Sequence, residues 1–152
     1  MLIKSVLGKK PLWGKDCFFA DNATLIGDIV LGDFCSVWFN TVIRGDVNKI
    51  RIGNNVNIQD GAIIHATYKE ASTSIGNDVS IAHNSTIHGC RIEDYVLVGM
   101  GSIIMDHSTI SSNTIIAAGS LIKENTFIEP NSIYGGIPAK KIKSIDKSKS
   151  KK

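Results

Sequence analysis

The stretch Ile92–Ile128 reads I-E-D-Y-V-L-V-G-M-G-S-I-I-M-D-H-S-T-I-S-S-N-T-I-I-A-A-G-S-L-I-K-E-N-T-F-I, and every sixth residue in it is aliphatic. The beat runs forward to Tyr134 and backward through Ile75, Ile81 and Ile87, through Ile52, Ile58 and Ile64, and through Phe19, Leu25, Leu31, Val37 and Ile43. Four residues after most anchors stands a small or β-branched residue, as at Ala23, Thr41, Ala62, Ser85, Ser102 and Ser120. An α-helix cannot produce this period, because its turn of 3.6 residues would smear the anchors around the axis. An alternating strand has no need of a small residue at one fixed phase. A short β segment and a tight corner per hexad accounts for both, with anchors inward and small residues in the cramped interior. Ile and Val for strands and Asn-Asp-Gly for corners agree with it.

The pattern resembles the hexapeptide-repeat family. That resemblance implies an all-β, left-handed parallel β-helix in which three hexads make one triangular coil. The beat is interrupted by three extra residues between Ile43 and Ile52 and five between Ile64 and Ile75, and one is missing between Ile87 and Ile92. The extra residues are expected as loops at corners. The expected organisation is an N-terminal cap over 1–18, the repeat over 19–134, a short C-terminal α-helix over 135–146 and a disordered lysine tail over 147–152. Pro138 suits the first turn of that helix, with Ile142 and Ile145 as its apolar stripe.

Length and composition fit one domain with a core. The formal charge of +3 divides into a net +6 over residues 140–152 and a net −3 over residues 1–139, so the basicity is a terminal tail. Without aromatic interleaving, no nucleic-acid partner is expected. No apolar run is long enough to span a membrane, and no secretory signal opens the chain, so no membrane partner and a cytoplasmic location are expected. Three widely spaced cysteines, Cys17, Cys35 and Cys90, fit free thiols.

Counting hexads places chemistry. Ile43, Ile64, Ile87 and Ile104 are three hexads apart, so the residues after them, Arg44, His65, His88 and Met105, share a face. At the strand spacing of about 4.8 Å, His65 and His88 can reach one metal. His83 follows Ile81 by two positions, on the preceding face, and points past a corner. The third ligand is therefore expected from a neighbouring copy in a threefold homotrimer. Three histidines with an open fourth position suit Zn²⁺. Asp60 shares the phase of His83 one coil earlier and is a candidate to orient it or to form part of the subunit contact. Gln59 and Asn57 are candidates to position a metal-bound hydroxide or bicarbonate. For Asn57 and Asp60 a corner role is an equal alternative.

The motifs R-G-D (Arg44–Asp46), N-I-Q-D (Asn57–Asp60), I-H-A (Ile64–Ala66), A-H-N-S-T-I-H-G-C (Ala82–Cys90), G-M-G-S (Gly99–Ser102) and Y-G-G-I-P-A-K (Tyr134–Lys140) resemble the γ-class carbonic anhydrases. The resemblance implies a homotrimer with Zn²⁺, or Fe²⁺ or Co²⁺ in its place, held by His65 and His88 of one chain and His83 of another. It implies reversible hydration of CO₂ to bicarbonate by metal-bound hydroxide, and subunit contacts through Arg44 and Asp46. The family's longer acidic loop is reduced here to Glu70, with Tyr134 as a further polar candidate, so weak turnover is expected. Two other kinds of protein remain open. One is a hexapeptide-repeat acyltransferase with a histidine base, or a CoA-ester thioesterase; the other is a non-catalytic trimeric scaffold. Cys90 is expected as a packed thiol.

Overall fold

The computed structural model describes residues 1–146 and Ser148. The hexad beat becomes a parallel β-solenoid. Ile43 pairs with Ile64, Ile64 with Ile87, Ile87 with Ile104 and Ile104 with Ile122, each partner three hexads further on. These anchors are almost wholly buried and stack into one continuous column of side chains. Full burial of each aliphatic anchor contributes about 1.5–3 kcal/mol, so the column is the main source of stability.

The small residue four positions after the anchor lies at the corner, pointing inward. Where it is polar, it is satisfied by backbone. Ser85, Ser102 and Ser108 are buried and donate to the carbonyls of Gly99, Ala117 and Lys123. Such bonds remove the 1–3 kcal/mol cost of a stranded hydroxyl. Outside, one corner carries a ladder in which the Asn54, Asn77 and Asp94 side-chain oxygens accept from the backbone N–H of Asp33, Asn54 and Asn77. Asn and Asp at these corners satisfy the turn, as their short polar side chains allow.

Two of the three faces are joined into a single 12-stranded sheet, and the third forms an 8-stranded sheet. The join corrects one expectation. The three extra residues between Ile43 and Ile52 do not break the strand: Val42–Ile52 runs 11 residues through the corner beside Thr24–Leu31 and takes them up as a bulge, Gly27 pairing with Gly45 but Ile29 with Ile50. The backbones meet closely there: a Cβ on Gly27 would stand 2.4 Å from the Gly45 carbonyl oxygen. The five extra residues after Ile64 do form a loop, closed by a Thr67–Ala71 bridge.

The C-terminal α-helix expected over 135–146 is not formed. Ala139–Ser144 is a strand, antiparallel to Ser132–Gly136, and adds the last strand of the 8-stranded sheet. An open sheet edge presents unpaired N–H and C=O groups, and the returning strand pairs them. Tyr134 and Lys141 both bond Glu129, at 3.2 and 3.0 Å, closing the clasp. The tail expected at 147–152 falls outside the described residues apart from Ser148. At the other end, Leu2–Lys4 and Leu12–Trp13 pair in parallel with Thr24–Leu31, and Ile3 packs on the core. No helix among the described residues is long and apolar enough to cross a membrane.

Candidate metal centre

His65 and His88 end two neighbouring strands, Ile63–His65 and Thr86–His88, and are direct register partners. The buried Ile64 and Ile87 turn inward, and the pleat sends the next residue of each strand outward. The rings meet edge to face with centroids 5.1 Å apart, and His65 Nδ1 stands 3.1 Å from His88 Nε2. Each ring's other nitrogen is held by a carboxylate. His65 Nε2 is 2.9 Å from Asp46 Oδ1, and His88 Nδ1 is 2.5 Å from Asp106 Oδ1. Asp46 also accepts from Arg44 Nη1 at 2.6 Å, and Asp106 accepts from the Thr67 hydroxyl.

The electrostatics fix where the protons lie. Burial by itself would raise the Asp46 carboxyl, but the bonds from His65 and Arg44 outweigh it and hold it below the usual range. At Asp106 burial again works upward and is overcome by the bonds from Thr67 and His88. Both carboxylates are therefore ionised and can only accept, so His65 Nε2 and His88 Nδ1 carry the hydrogens. In neutral rings this leaves two lone pairs facing each other across 3.1 Å. They repel unless a proton or a metal cation lies between them. Two nitrogens bound to one tetrahedral Zn²⁺ at 2.0–2.1 Å are about 3.3 Å apart. The donor pair fits such an ion, and carboxylates on the outer nitrogens are the usual support of ligating imidazoles.

The two rings do not complete a site alone. Among the described residues, no group of three His, Cys, Asp or Glu side chains is placed to hold a metal. His83 follows the strand Ser80–Ile81 of the 8-stranded sheet, away from the sheet of His65 and His88. It is half-exposed, with Nδ1 3.1 Å from Asp60 Oδ2. Beside it Trp38, Asn57, Gln59 and Asp60 line an open cleft of about 220 Å³. Asn57 Oδ1 accepts from Ser36 Oγ and Trp38 Nε1 at 2.8 and 2.9 Å, which fixes its amide.

The other candidates lie apart. Glu70 is on the exposed side of the 66–72 loop and lines a different groove, with Ser72, Arg91 and His107. Tyr134 sits on the strand Ser132–Gly136, three strands beyond Ser80–Ile81 in its sheet. Cys90 is buried, and burial pushes its thiol up to about 12. The residue that sequence reasoning missed is Asp106. It is two residues past the anchor Ile104 and reaches His88 beside Gly89, where the beat is one residue short. A Cβ on Gly89 would stand 2.7 Å from the Asp106 carboxyl carbon.

Residues 89–124 match the family model described as bacterial transferase hexapeptide (six repeats). Over 148 residues the chain is 40% identical to "Gamma carbonic anhydrase 2, mitochondrial" of Arabidopsis thaliana, covering 94% of this chain and 53% of that protein. It thus spans about half the length of that relative. It is 41% identical over 138 residues to a carbonic anhydrase of Geobacillus kaustophilus, covering 91% of this chain and 75% of that one. The solved structure of a hexapeptide transferase family protein from Anaplasma phagocytophilum superposes with a TM-score of 0.91 at 35% identity, covering 97% of this chain and 86% of that one. On likeness of this extent, the chain belongs to the γ-carbonic anhydrase-like family of hexapeptide-repeat proteins.

Proposed function

We propose that the protein is a metal-dependent lyase that interconverts CO₂ and bicarbonate at the subunit interfaces of a homotrimer of left-handed coils. The observation that carries this reading is the pair of facing ring nitrogens, His65 Nδ1 and His88 Nε2, with Asp46 and Asp106 on their outer nitrogens. His83 of a neighbouring copy is the third donor, since its face differs from theirs within one chain. Zn²⁺, or Fe²⁺ or Co²⁺ in its place, supplies Lewis acidity there and makes water nucleophilic near neutral pH.

The chain's own residues do the rest. Asp46 and Asp106 accept the outer ring hydrogens and keep the inner nitrogens free to donate. Asp60 does the same for His83 through Nδ1, leaving Nε2 for the metal. Gln59 and Asn57, in the cleft beside His83, hold bicarbonate oxygens through amide N–H groups. Arg44, bonded to Asp46, lends positive charge to the same edge and joins the subunit contact. Glu70 stands in a separate groove and is no proton acceptor for this site, so weak turnover is expected.

The test is stopped-flow CO₂ hydration by zinc-loaded and iron-loaded protein beside His88→Ala. Hydration that tracks metal content and is lost in the variant supports the reading. Metal-loaded protein with no hydration above buffer overturns it. A second reading, acyl transfer from a CoA donor, draws on the likeness to the hexapeptide transferase family structure. It predicts acyl transfer by metal-free protein, which release of free thiol from acetyl-CoA would measure.

A further inference from the structure

Asp106 lies outside the motifs that carry the family resemblance, yet it is the side chain that meets the outer nitrogen of His88. Its carboxyl is five-sixths buried, with Oδ1 2.5 Å from His88 Nδ1. Oδ2 accepts the hydroxyl of Thr67, which is pinned in turn. The Thr67 carbonyl accepts from Asn48 Nδ2 at 3.1 Å, and Thr67 closes the 66–72 loop against Ala71. Gly89 leaves the room for the contact, because a Cβ there would collide with the Asp106 carboxyl and with Ala71. The carboxylate is thus held from two sides, by Thr67 of the loop and by the His88 ring.

The consequence follows from counting hydrogens. A neutral imidazole carries one N–H. With Asp106 accepting at Nδ1, the His88 hydrogen is there and Nε2 is bare. Without that acceptor, the hydrogen moves to Nε2, which donates to His65 Nδ1 across the 3.1 Å gap. The two histidines then satisfy each other and neither faces a cation. We infer that Asp106 is a positioning residue: it holds His88 with Nδ1–H outward and the Nε2 lone pair toward His65, and Thr67 fixes the carboxylate for that task. The purpose of this device rests on the metal reading above, but its existence does not.

The test uses the full chain. Long-range ¹H–¹⁵N correlations of metal-free protein above pH 8 report which His88 nitrogen carries hydrogen. The wild type is expected to show Nδ1–H, and Asp106→Ala to show Nε2–H. Zinc affinity, measured against a chelating dye, is expected to fall about 10–100-fold in Asp106→Ala. Thr67→Val retains the carboxylate, so it should keep Nδ1–H on His88 while zinc affinity falls by less than in Asp106→Ala. An unchanged His88 tautomer in a folded Asp106→Ala, or Nε2–H in the wild type should that variant not fold, overturns the assignment. A wild type with the expected tautomer that binds no zinc contradicts the metal reading and leaves the assignment standing.

Discussion

His65 Nδ1 and His88 Nε2 face each other at 3.1 Å while Asp46 and Asp106 occupy the far side of each ring. The pair is a product of the hexad beat. Ile64 and Ile87 are neighbours in register, so the residue after each is delivered to the same point on adjacent coils. A slip of one residue in either strand would turn its histidine into the core.

Asp46 serves two partners at once, Arg44 and His65. Asp46→Asn keeps the shape and removes the charge, and an amide can present N–H in place of an acceptor. Zinc affinity is expected to fall about 10–100-fold, as for other carboxylates behind a ligating imidazole. Competition against a chelating dye measures it.

The buried column makes a sharp stability prediction. Ile87 is fully buried, and Ile87→Ala is expected to cost about 2–5 kcal/mol. Ile142, on the outer face of the closing hairpin, is 59% exposed, and Ile142→Ala is expected to change stability by under about 0.5 kcal/mol. Urea midpoints of the two variants compare them directly. Equal losses would mean that the anchors do not carry the fold.

Most of the coil was legible because its chemistry repeats: an anchor that must be buried recurs at each hexad, and neighbouring coils repeat the same register. Most of what was not legible depended on breaks in that repeat. Pro138 followed by Ala, Lys and Ile reads locally as a helix start, but the exposed edge of Ser132–Gly136 gains more by pairing with Ala139–Ser144. The residues between Ile43 and Ile52 stay within the strand beside Thr24–Leu31 and bulge between Gly45 and Ile50, next to the point where Gly27 and Gly45 let the two backbones approach. Asp106 escaped notice for a different reason. Hexad counting stacked Met105 on His88, and the carboxylate that reaches His88 Nδ1 belongs to the next residue, one beyond the stacked position.

The two ends of the pH range should act through different groups. Cys35 and Cys90 are raised from 9.0 chiefly by burial, Cys90 to about 12. Their neutral thiols are favoured by the fold, so this contribution is complete below pH 9.0 and is lost as pH climbs toward 12. Stability is expected to fall as pH rises from 9.0 toward 12, and to fall less in Cys90→Ala. At pH 8, iodoacetamide should label Cys17, the partly exposed thiol, before Cys35 or Cys90. Asp46 and Asp106 are held below 3.8, so the stability they give is present above that value and lost as pH falls beneath it. The acid limb should be shallower in Asp46→Asn.

The sharing of one metal site between copies is tested most directly by zinc content after co-expression of His83→Ala and His88→Ala. Each variant alone lacks one donor in every site and should bind no zinc. Mixed assemblies restore sites in which His83→Ala supplies His65 and His88 and the other copy supplies His83, so zinc should reappear in the mixture. A mixture as empty as its parents, or single variants that keep their zinc, would contradict a site built across the interface.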